Sequence, residues 1–197
     1  VKILVGTQMI IKGLDFQNVH LVGVLNADHL MNFPDFRAHE RTFQMLSQVA
    51  GRAGRKELRG KVLIQTYQPH HPIIQHVING NYDQMFNKEL KDRKKYYYPP
   101  YNRLIRIVVN HSDMETLKKA SHWIVNVLSQ SEYGKILGPV FPPVARIRNR
   151  YRMHILVKIS ANKSRDQVKQ MIKKTLDHFD SIPIFRSCKV NVDVDPY

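Results

Sequence analysis

The proline pair Pro99-Pro100 constrains the fold of this chain of 197 residues more than any other feature. Proline disfavours the helical conformation in the residue before it, so the helical pattern that precedes this pair has to end there. Strand and helix signals also follow different orders on the two sides of the break. We therefore predict two folded parts, residues 1–67 and 99–197, joined by a helical connector over residues 68–98.

Residues 1–67 have the rhythm of an α/β layer. Val1–Val5 and Val19–Leu25 are continuous apolar runs, as expected for parallel strands buried on both faces. A helix is expected from about Ala38 to Ala53, and a third strand over Lys61–Tyr67 after a charged loop. This part is too short for a whole doubly wound domain, so we predict a partial parallel-sheet lobe.

Residues 99–197 predict an α+β domain of a different kind. The expected elements are a strand over Leu104–Asn110, a helix over Met114–Leu128, a hairpin over Arg146–Ile159 that turns near Asn149, a helix over Ser164–Phe179 and a final alternating strand over Val190–Val194. The segment from Gly138 to Pro143 is expected to be a turn-rich crossing. The order strand-helix-strand-strand-helix-strand is that of the split βαβ, or ferredoxin-like, fold.

The charge balance favours a polyanionic partner. The chain has 31 lysines and arginines against 16 aspartates and glutamates, a formal net charge of +15. Residues 1–67 account for 9 basic and 5 acidic groups and residues 68–197 for 22 and 11, so the excess lies mainly in the second part. Basic surfaces bind phosphates and release counterions, although a merely solvated basic surface is the alternative.

Other features of the composition narrow the class of protein. No apolar run approaches the ~20 residues of a membrane span, and no signal-peptide pattern opens the chain. The chain starts inside an apolar run without a Met, which favours an excised fragment, and we expect a cytoplasmic protein. The single cysteine, Cys188, excludes an intrachain disulfide and is expected to be a buried structural thiol.

Gln48, Arg52 and Arg55 are spaced by four and then three residues, which places them on one face of a helix. Two guanidinium groups and an amide could then meet a single site, and arginine donates bidentate hydrogen bonds to phosphate. Gly51 and Gly54 interrupt this helix at a cost of about 1 kcal/mol each, which favours a close approach of the backbone to a ligand. A helix end capped by glycine is the alternative.

The loop after the first predicted strand is a second candidate ligand site, since α/β sheets place their sites at the ends of strands. Its glycines allow a close backbone approach, and its polar side chains suit a nucleotide, with Asp15 facing a ribose hydroxyl. The residues are Gly6, Thr7, Gln8, Lys12, Gly13 and Asp15. A plain strand-to-helix connection is the alternative.

These two segments resemble motifs of the superfamily 2 helicases: Gly6–Phe16 is similar to motif V and Gln48–Arg55 to motif VI. Further segments resemble one family within it, the bacterial replication-restart helicases or primosomal protein N′ family. They are Asn26–Asp28, Pro34–Arg41, Tyr98–Leu104, Arg146–Arg152 and Asp193–Pro196. The resemblance covers essentially the whole chain.

The resemblance implies an ATP-dependent 3′→5′ DNA helicase that binds branched DNA at stalled replication forks and initiates primosome assembly. Its implied partners are branched or single-stranded DNA, other primosome proteins and single-stranded-DNA-binding protein. In such an enzyme Arg55 is the arginine finger, Arg52 a second phosphate contact and Gln48 an orienting group. Asp15 contacts the ribose, and Thr7, Gln8 and Lys12 couple the nucleotide to DNA.

The sequence also departs from a complete helicase. It has no phosphate loop of the pattern Gly-x-x-x-x-Gly-Lys-Ser/Thr, no Asp-Glu pair for magnesium, and none of the family's cysteine-rich zinc module. ATP and Mg²⁺ are therefore expected cofactors of a longer protein, and this chain alone is expected to bind DNA without hydrolysing ATP. The alternative is a stand-alone nucleic-acid-binding module whose motor-like half is a scaffold.

Basic residues at every second position mark the predicted hairpin: Arg146, Arg148, Arg150 and Arg152. If both arms are extended, the arginines project to one side as a comb for phosphates, and Tyr151 could stack on an unpaired base. An edge strand protected by charge is the alternative. The resemblance favours DNA binding.

Three further groups have less specific interpretations. The run Tyr96-Tyr97-Tyr98 is interpreted as packing at a domain junction, with a base-stacking platform as the alternative. Asp193 and Asp195 are interpreted as an exposed strand edge beside arginines rather than as metal ligands. The histidines, including His70 and His71, are expected to be solvated or capping, so no metal site is predicted.

Overall fold

Two groups of strands organise the chain in the computed structural model, which describes residues 3–7, 19–51, 53, 60–132 and 134–196. One is a two-stranded parallel sheet and the other a five-stranded antiparallel sheet. They belong to two compact units, Val1–Asp92 and Arg93–Tyr197. This mixture of helices and sheets agrees with the predicted α/β class.

The parallel sheet of the first unit consists of β1 (Leu21–Val24) and β2 (Lys61–Ile64), with Leu21 opposite Lys61. The unit also contains α1 (Asp28–Met31), α2 (Ala38–Ala50) and α3 (Pro72–Asn79), and α4 (Tyr82–Lys95) begins in it. Helix α2 forms because its apolar residues recur at helical spacing. The residues that it buries are Ala38, Thr42, Phe43, Leu46 and Val49.

One face of the parallel sheet packs against helices. Val24 and Ile64 contact a buried cluster that includes Leu46 and Ile74, whereas Leu21 and Leu63 on the other face are 57% and 60% exposed. The prediction that the strand within Val19–Leu25 is buried on both faces is therefore wrong. Among the described residues, the helices that pack on this sheet all contribute to the cluster on one side.

The described part of the predicted strand Val1–Val5 is not a strand. Ile3, Leu4 and Val5 have no regular secondary structure and are 82%, 51% and 85% exposed, while Val1 and Lys2 lie outside the described residues. A strand needs a paired neighbour for its backbone groups, and in the described parts of the chain β1 pairs with β2 alone. An apolar run does not supply that neighbour.

The predicted helical connector contains the helices α3 and α4. Helix α3 begins after His71, whose Nδ1 accepts a hydrogen bond from the N–H of Ile73 at 3.3 Å, with Pro72 in the first turn. It ends at Gly80, which adopts the left-handed conformation at φ 64°. The predicted capping role of a histidine is thus confirmed for His71. Burial, followed by the charges of His39 and Lys88, lowers the pKa of this imidazole.

The second unit has the predicted elements in the predicted order, with one additional strand before the hairpin. Its strands and helices are β3 (Asn102–His111), α5 (Met114–Ser129), β4 (Gly134–Val140), β5 (Arg146–Ile147), β6 (Arg150–Ser160), α6 (Arg165–Ser181) and β7 (Lys189–Val194). The main strands lie in the order β4-β6-β3-β7, each antiparallel to its neighbour, and β5 pairs with β6. Two helices that cross between such strands give the split βαβ arrangement.

The second strand of this arrangement is β4 rather than an arm of the predicted hairpin. Gly138 and Pro139, which were expected in a turn-rich crossing, lie inside β4, where the register with β6 shifts between Leu137 and Val140. Proline is tolerated on an edge strand and next to a bulge because no ladder hydrogen bond from its nitrogen is needed. Glycine and proline therefore marked an irregular edge strand and not a break.

The core of the second unit lies between its sheet and both helices. Ile107 and Ile155 of the sheet, Ile124 of α5 and Phe179 of α6 are fully buried in one cluster. Because both helices share this cluster, they cover the same face of the sheet. Cys188 lies in the same core, which confirms the predicted buried thiol, and its burial raises its pKa although Arg150 opposes the shift.

Candidate nucleic-acid interface

The predicted nucleotide-site residues are described only in part. Gln48 is an exposed residue of α2 between the buried Leu46 and Val49, so its side chain points away from the core. Gly6 and Thr7 lie in an exposed irregular segment. The remaining predicted residues of this site lie outside the described residues: Gln8, Lys12, Gly13, Asp15, Arg52 and Arg55.

The helix that carries Gln48 ends earlier than predicted. Helix α2 stops at Ala50, and Gly51 forms its cap by donating its N–H to Ser47 at 3.0 Å. The described residues after it, Gly51 and Ala53, are not helical. The predicted helix over Ala38–Ala53 is therefore too long at its C-terminal end, and the positions of Arg52 and Arg55 lie outside the described residues.

Asp28 organises the ends of both parallel strands, a feature that sequence analysis did not assign. Its carboxylate is buried and accepts hydrogen bonds from Thr66 Oγ1 and from the N–H of Tyr67, each at 3.0 Å. These bonds account for the end of β2 at Ile64 rather than at Tyr67, since the chain turns toward Asp28 there. The carboxyl ends of parallel strands are where α/β sheets place their ligand sites.

The arginine-rich hairpin of the second unit has a two-residue turn. Arg148 and Asn149 have positive φ values of 47° and 61°, the combination of a type I′ turn that favours asparagine. The turn puts Arg146 opposite Tyr151 and Ile147 opposite Arg150. The predicted hairpin and the turn near Asn149 are confirmed.

The arginines of this hairpin do not all project to one side. Residues opposite each other in a ladder share a face, so Arg146 lies on the face of Tyr151, whereas Arg150 and Arg152 lie on the face of Ile147. The guanidinium carbon of Arg146 is 4.8 Å from the centroid of the Tyr151 ring. The predicted one-sided comb is therefore wrong, because a two-residue turn reverses the side of alternate residues.

A larger basic surface results from the register of β6 with its neighbours. Arg152 and Lys158 lie on the face of β6 that is turned away from the helices, because Ile155 and Val157 occupy the core face. Register adds cations from the neighbouring strands to this face. We call it the basic sheet face, and its cations are Arg106, Lys135, Arg150, Arg152, Lys158 and Lys189.

One carboxylate lies within the ladder on the basic sheet face. Asp193 of β7 is opposite Arg106, and its Oδ2 accepts a hydrogen bond from Arg106 Nη2 at 2.6 Å. Asp195 is exposed beyond the end of β7, and its N–H donates to Leu104. The interpretation as a strand residue beside an arginine is confirmed for Asp193, whereas Asp195 lies beyond the strand. With six cations against one anion, the face is suited to a polyanion.

His154 lies in the middle of the same face. Burial, followed by the charges of Arg106 and Arg152, lowers the pKa of its imidazole. Its Nε2 is buried and has no hydrogen-bond partner in the described part of the chain. Arg152 is oriented by a hydrogen bond from its Nε to Asn110 Oδ1 at 3.2 Å. The cations of this surface thus belong to residues of paired strands, and a neighbouring strand orients Arg152.

Two of the six cations on the basic sheet face, Arg150 and Arg152, were predicted as DNA contacts from the sequence. The signal for more was present along β6, where Lys158 continues the alternation of Arg150 and Arg152. Arg106, Lys135 and Lys189 could not have been found in this way, since they belong to other strands. Their place on this face depends on the register of the sheet.

The described residues contain neither a metal-site candidate nor a membrane-span candidate. Across the described ranges, no three side chains of His, Cys, Asp or Glu are grouped so that they could hold a metal ion. A helix with the length and apolar character to cross a membrane does not occur among the described residues.

Fold and surface define a two-unit α/β chain whose split βαβ unit has a strongly basic sheet face. Residues 94–197 match the family model of the primosomal protein N C-terminal domain. The match covers more than half of the chain, and the chain belongs to this family.

Relatives extend the similarity to the first unit. The chain is 42% identical over 199 residues to the replication restart protein PriA of Bacillus subtilis, covering 99% of this chain and 24% of the relative. It is 46% identical over 158 residues to the protein of that name from Synechocystis, covering 79% and 19%. The Treponema pallidum protein is 38% identical, covering 100% and 29%. The chain thus spans about a quarter of the length of these relatives.

Proposed function

We propose that this chain is part of an ATP-dependent 3′→5′ DNA helicase that acts in replication restart. In this proposal the protein binds branched DNA at stalled forks in the cytoplasm, initiates primosome assembly, and meets other primosome proteins and single-stranded-DNA-binding protein there. Membership of the primosomal family and the name of the relatives, replication restart protein, support the role in restart.

The basic sheet face is the observation that carries the proposed DNA binding. Lysines and arginines on this surface match the phosphates of DNA, and the contacts release counterions. Arg150 and Arg152 are the hairpin residues best oriented for such contacts, because they share the face with Lys189 and Arg106. We propose that Arg146, Arg148 and Tyr151 contact DNA beside this face, at the hairpin.

The first unit is proposed as the second half of the motor, a RecA-like lobe within residues 1–67, with the connector over residues 68–98. ATP and Mg²⁺ are then bound by a preceding lobe, and zinc by a module outside this chain. Arg55 acts as the arginine finger, Arg52 as a second phosphate contact and Gln48 as an orienting group. The loop Gly6–Asp15 contacts the ribose and couples the nucleotide to DNA. Gln48 is exposed on α2, as a group that orients a bound nucleotide has to be.

The motor proposal is tested in the complete protein by measuring DNA-stimulated ATP hydrolysis. Arg55→Ala is expected to lower the rate at least a hundredfold, since arginine fingers contribute about 10³–10⁵ to such rates. Gln48→Ala is expected to lower the rate, whereas Gln44→Ala, an exposed glutamine one turn earlier in α2, should not. An Arg55→Ala protein with normal ATP hydrolysis would refute the motor role and favour a stand-alone nucleic-acid-binding module.

A further inference from the structure

A cavity of about 440 Å³ in the second unit lies where the segment Tyr96-Tyr97-Tyr98 passes over one end of the basic sheet face. Its cationic lining consists of Lys95, Lys135 and Lys158. We call it the Tyr–Lys cavity. Its volume lies within the range of about 300–1,000 Å³ that is usual for small-molecule sites.

Helix α4 fixes the tyrosines at this place by the way it ends. The N–H of Tyr98 donates to the carbonyl of Arg93 at 2.8 Å and that of Tyr97 to Lys94 at 3.4 Å, the pair of bonds of a Schellman motif. Tyr97 takes the left-handed position of this motif at φ 59°, where glycine is usual. A tyrosine is therefore held at a position whose backbone does not favour it.

Each lysine of the cavity lies over the ring of one tyrosine. The ammonium nitrogens of Lys95 and Lys135 are 5.1 Å and 5.8 Å from the ring centroids of Tyr96 and Tyr97. Lys158 Nζ is 3.5 Å from the ring centroid of Tyr98. The cavity is thus lined by alternating cations and aromatic rings, which attract each other.

Lys158 is a buried cation without a carboxylate partner among the described residues. Lys158 is only 5% exposed, and its Nζ donates a hydrogen bond to the carbonyl of Tyr96 at 2.8 Å. Lys135 is directly opposite it in the β4–β6 ladder. Burial, followed by the charge of Lys135, lowers the pKa of Lys158. Like charges directly opposite each other destabilise a sheet. An anion in the cavity would therefore offset both the burial of the Lys158 charge and its repulsion by Lys135.

The tyrosines narrow the class of anion. Tyr96 and Tyr97 are each 52% exposed, so their rings offer surface to a planar group beside the three ammonium groups. A nucleotide has a phosphate for the lysines and a base for the rings, and aromatic side chains stack on unpaired bases of any sequence. An acidic peptide would use the charges and leave the rings without a matched partner.

We propose that the Tyr–Lys cavity binds one unpaired nucleotide of single-stranded DNA, with its phosphate on Lys135 and Lys158 and its base against Tyr97. The proposal rests on the proposed function, since it supposes that DNA lies along the basic sheet face. It adds a site where an unpaired base is distinguished from the backbone alone. A strand leaving a duplex would then be held at the end of that face.

The test measures, by fluorescence anisotropy, the affinity of the intact chain of 197 residues for two labelled oligomers. One is an oligothymidylate of twelve nucleotides, and the other is an abasic oligomer with the same number of phosphates. The unmodified chain is expected to bind the thymidylate about five- to tenfold more tightly, the lower end of what one stacked base contributes. Equal affinity for the two oligomers would overturn the inference and leave DNA binding by the basic sheet face intact.

Tyr97→Gly removes the aromatic ring without straining the backbone, because glycine readily adopts the left-handed conformation at this position. This variant is expected to keep the thermal stability of the chain, to lose the preference for thymidylate and to bind the abasic oligomer as before. The matched control is Tyr67→Gly, which removes a tyrosine 92% exposed in the first unit and should keep the preference. A Tyr97→Gly chain that still prefers thymidylate would contradict the assignment.

Lys135→Gln tests the phosphate contact, since Lys135 is exposed. It should weaken binding of both oligomers, whereas Lys173→Gln on the exposed face of α6 should weaken neither. Displacement of thymidylate by hexaglutamate at equal concentration would assign the cavity to acidic peptides and overturn the inference. If neither oligomer binds even at low salt, the DNA-binding part of the proposed function fails as well.

Discussion

Arg146 and Tyr151 lie directly opposite each other in the hairpin, and the guanidinium carbon of Arg146 is 4.8 Å from the centroid of the Tyr151 ring. Arg146 also donates a hydrogen bond to the side chain of Asn149 in the turn, and Tyr151 packs against the core of the second unit. The pair therefore ties the turn to the sheet. One of the four hairpin arginines thus has a structural partner on the side opposite to Arg150 and Arg152.

Replacing Arg146 by alanine should lower the free energy of unfolding of the second unit by about 0.5–1 kcal/mol, the usual size of an exposed cation–aromatic contact. Urea denaturation followed by circular dichroism measures the change. Arg186→Ala is the control, since Arg186 is an exposed arginine outside the hairpin. An equal loss in both variants would show that the Arg146–Tyr151 contact contributes no stability of its own.

Gly138 tests the placement of β4 at the edge of the antiparallel sheet. A Cβ atom at Gly138 would be 2.7 Å from the carbonyl oxygen of His154, and its φ is 103°. Gly138→Ala should therefore lower the unfolding free energy by about 1–3 kcal/mol. Gly23→Ala is the matched control, because a Cβ there meets no atom within 4 Å. Loss of stability in the control but not in Gly138→Ala would contradict the register of β4 with β6.

Asp28 links the ends of the two parallel strands, so its replacement by alanine leaves the Thr66 hydroxyl and the Tyr67 N–H without their acceptor. Hydrogen bonds to charged groups contribute about 1.5–3 kcal/mol, and we expect a loss of about 2–3 kcal/mol for the first unit. Thermal unfolding of the chain measures it. Asp83→Ala, at an exposed position in α4, should have a much smaller effect; similar losses would refute the linking role.

The lowered pKa of His154 predicts a pH dependence of stability. The unfolded chain, with a histidine pKa of about 6.5, binds a proton more readily than the folded one, so stability from this group is present above pH 6.5 and is lost as the pH falls through the lower folded value. His154→Gln should reduce the difference in urea midpoint between pH 8 and pH 5.5. His122→Gln, at an exposed position, should leave it unchanged. An unchanged difference in His154→Gln would contradict the burial of this imidazole beside two arginines.

The sequence predicted the second unit better than the first, for a physical reason. The helical stripe of Leu117, Ala120 and Ile124 results from one buried face, and that face exists in the structure. The alternation of the last strand predicted burial less well, since Val190 packs against the core but Val192 and Val194 are 42% and 58% exposed. The apolar runs Val1–Val5 and Val19–Leu25 predicted a sheet covered on both sides. Pairing and cover come from other segments: among the described residues β1 pairs with β2 and is covered on one face, whereas residues 3–5 form no strand.

The candidate site was predictable where it follows one strand and not where it depends on register. Arg150 and Arg152 were found from their spacing, but their separation from Arg146 required the two-residue turn. Lys135 and Lys158 are 23 positions apart in the sequence and become opposite partners through the β4–β6 ladder. The proline of β4 concealed that strand, and with it the position of Lys135.

The salt dependence of DNA binding tests the basic sheet face most directly. Binding of labelled single-stranded DNA to the intact chain is measured between about 50 and 200 mM salt, a range over which phosphate contacts reduce affinity steeply. Arg152→Gln with Lys189→Gln should lower the magnitude of the log–log slope by about 1.4, since each phosphate contact contributes about 0.7 for single strands. Lys169→Gln with Lys173→Gln, both exposed on α6, should leave the slope unchanged. An unchanged slope in the first pair, or a loss confined to the second, would contradict DNA binding by the basic sheet face.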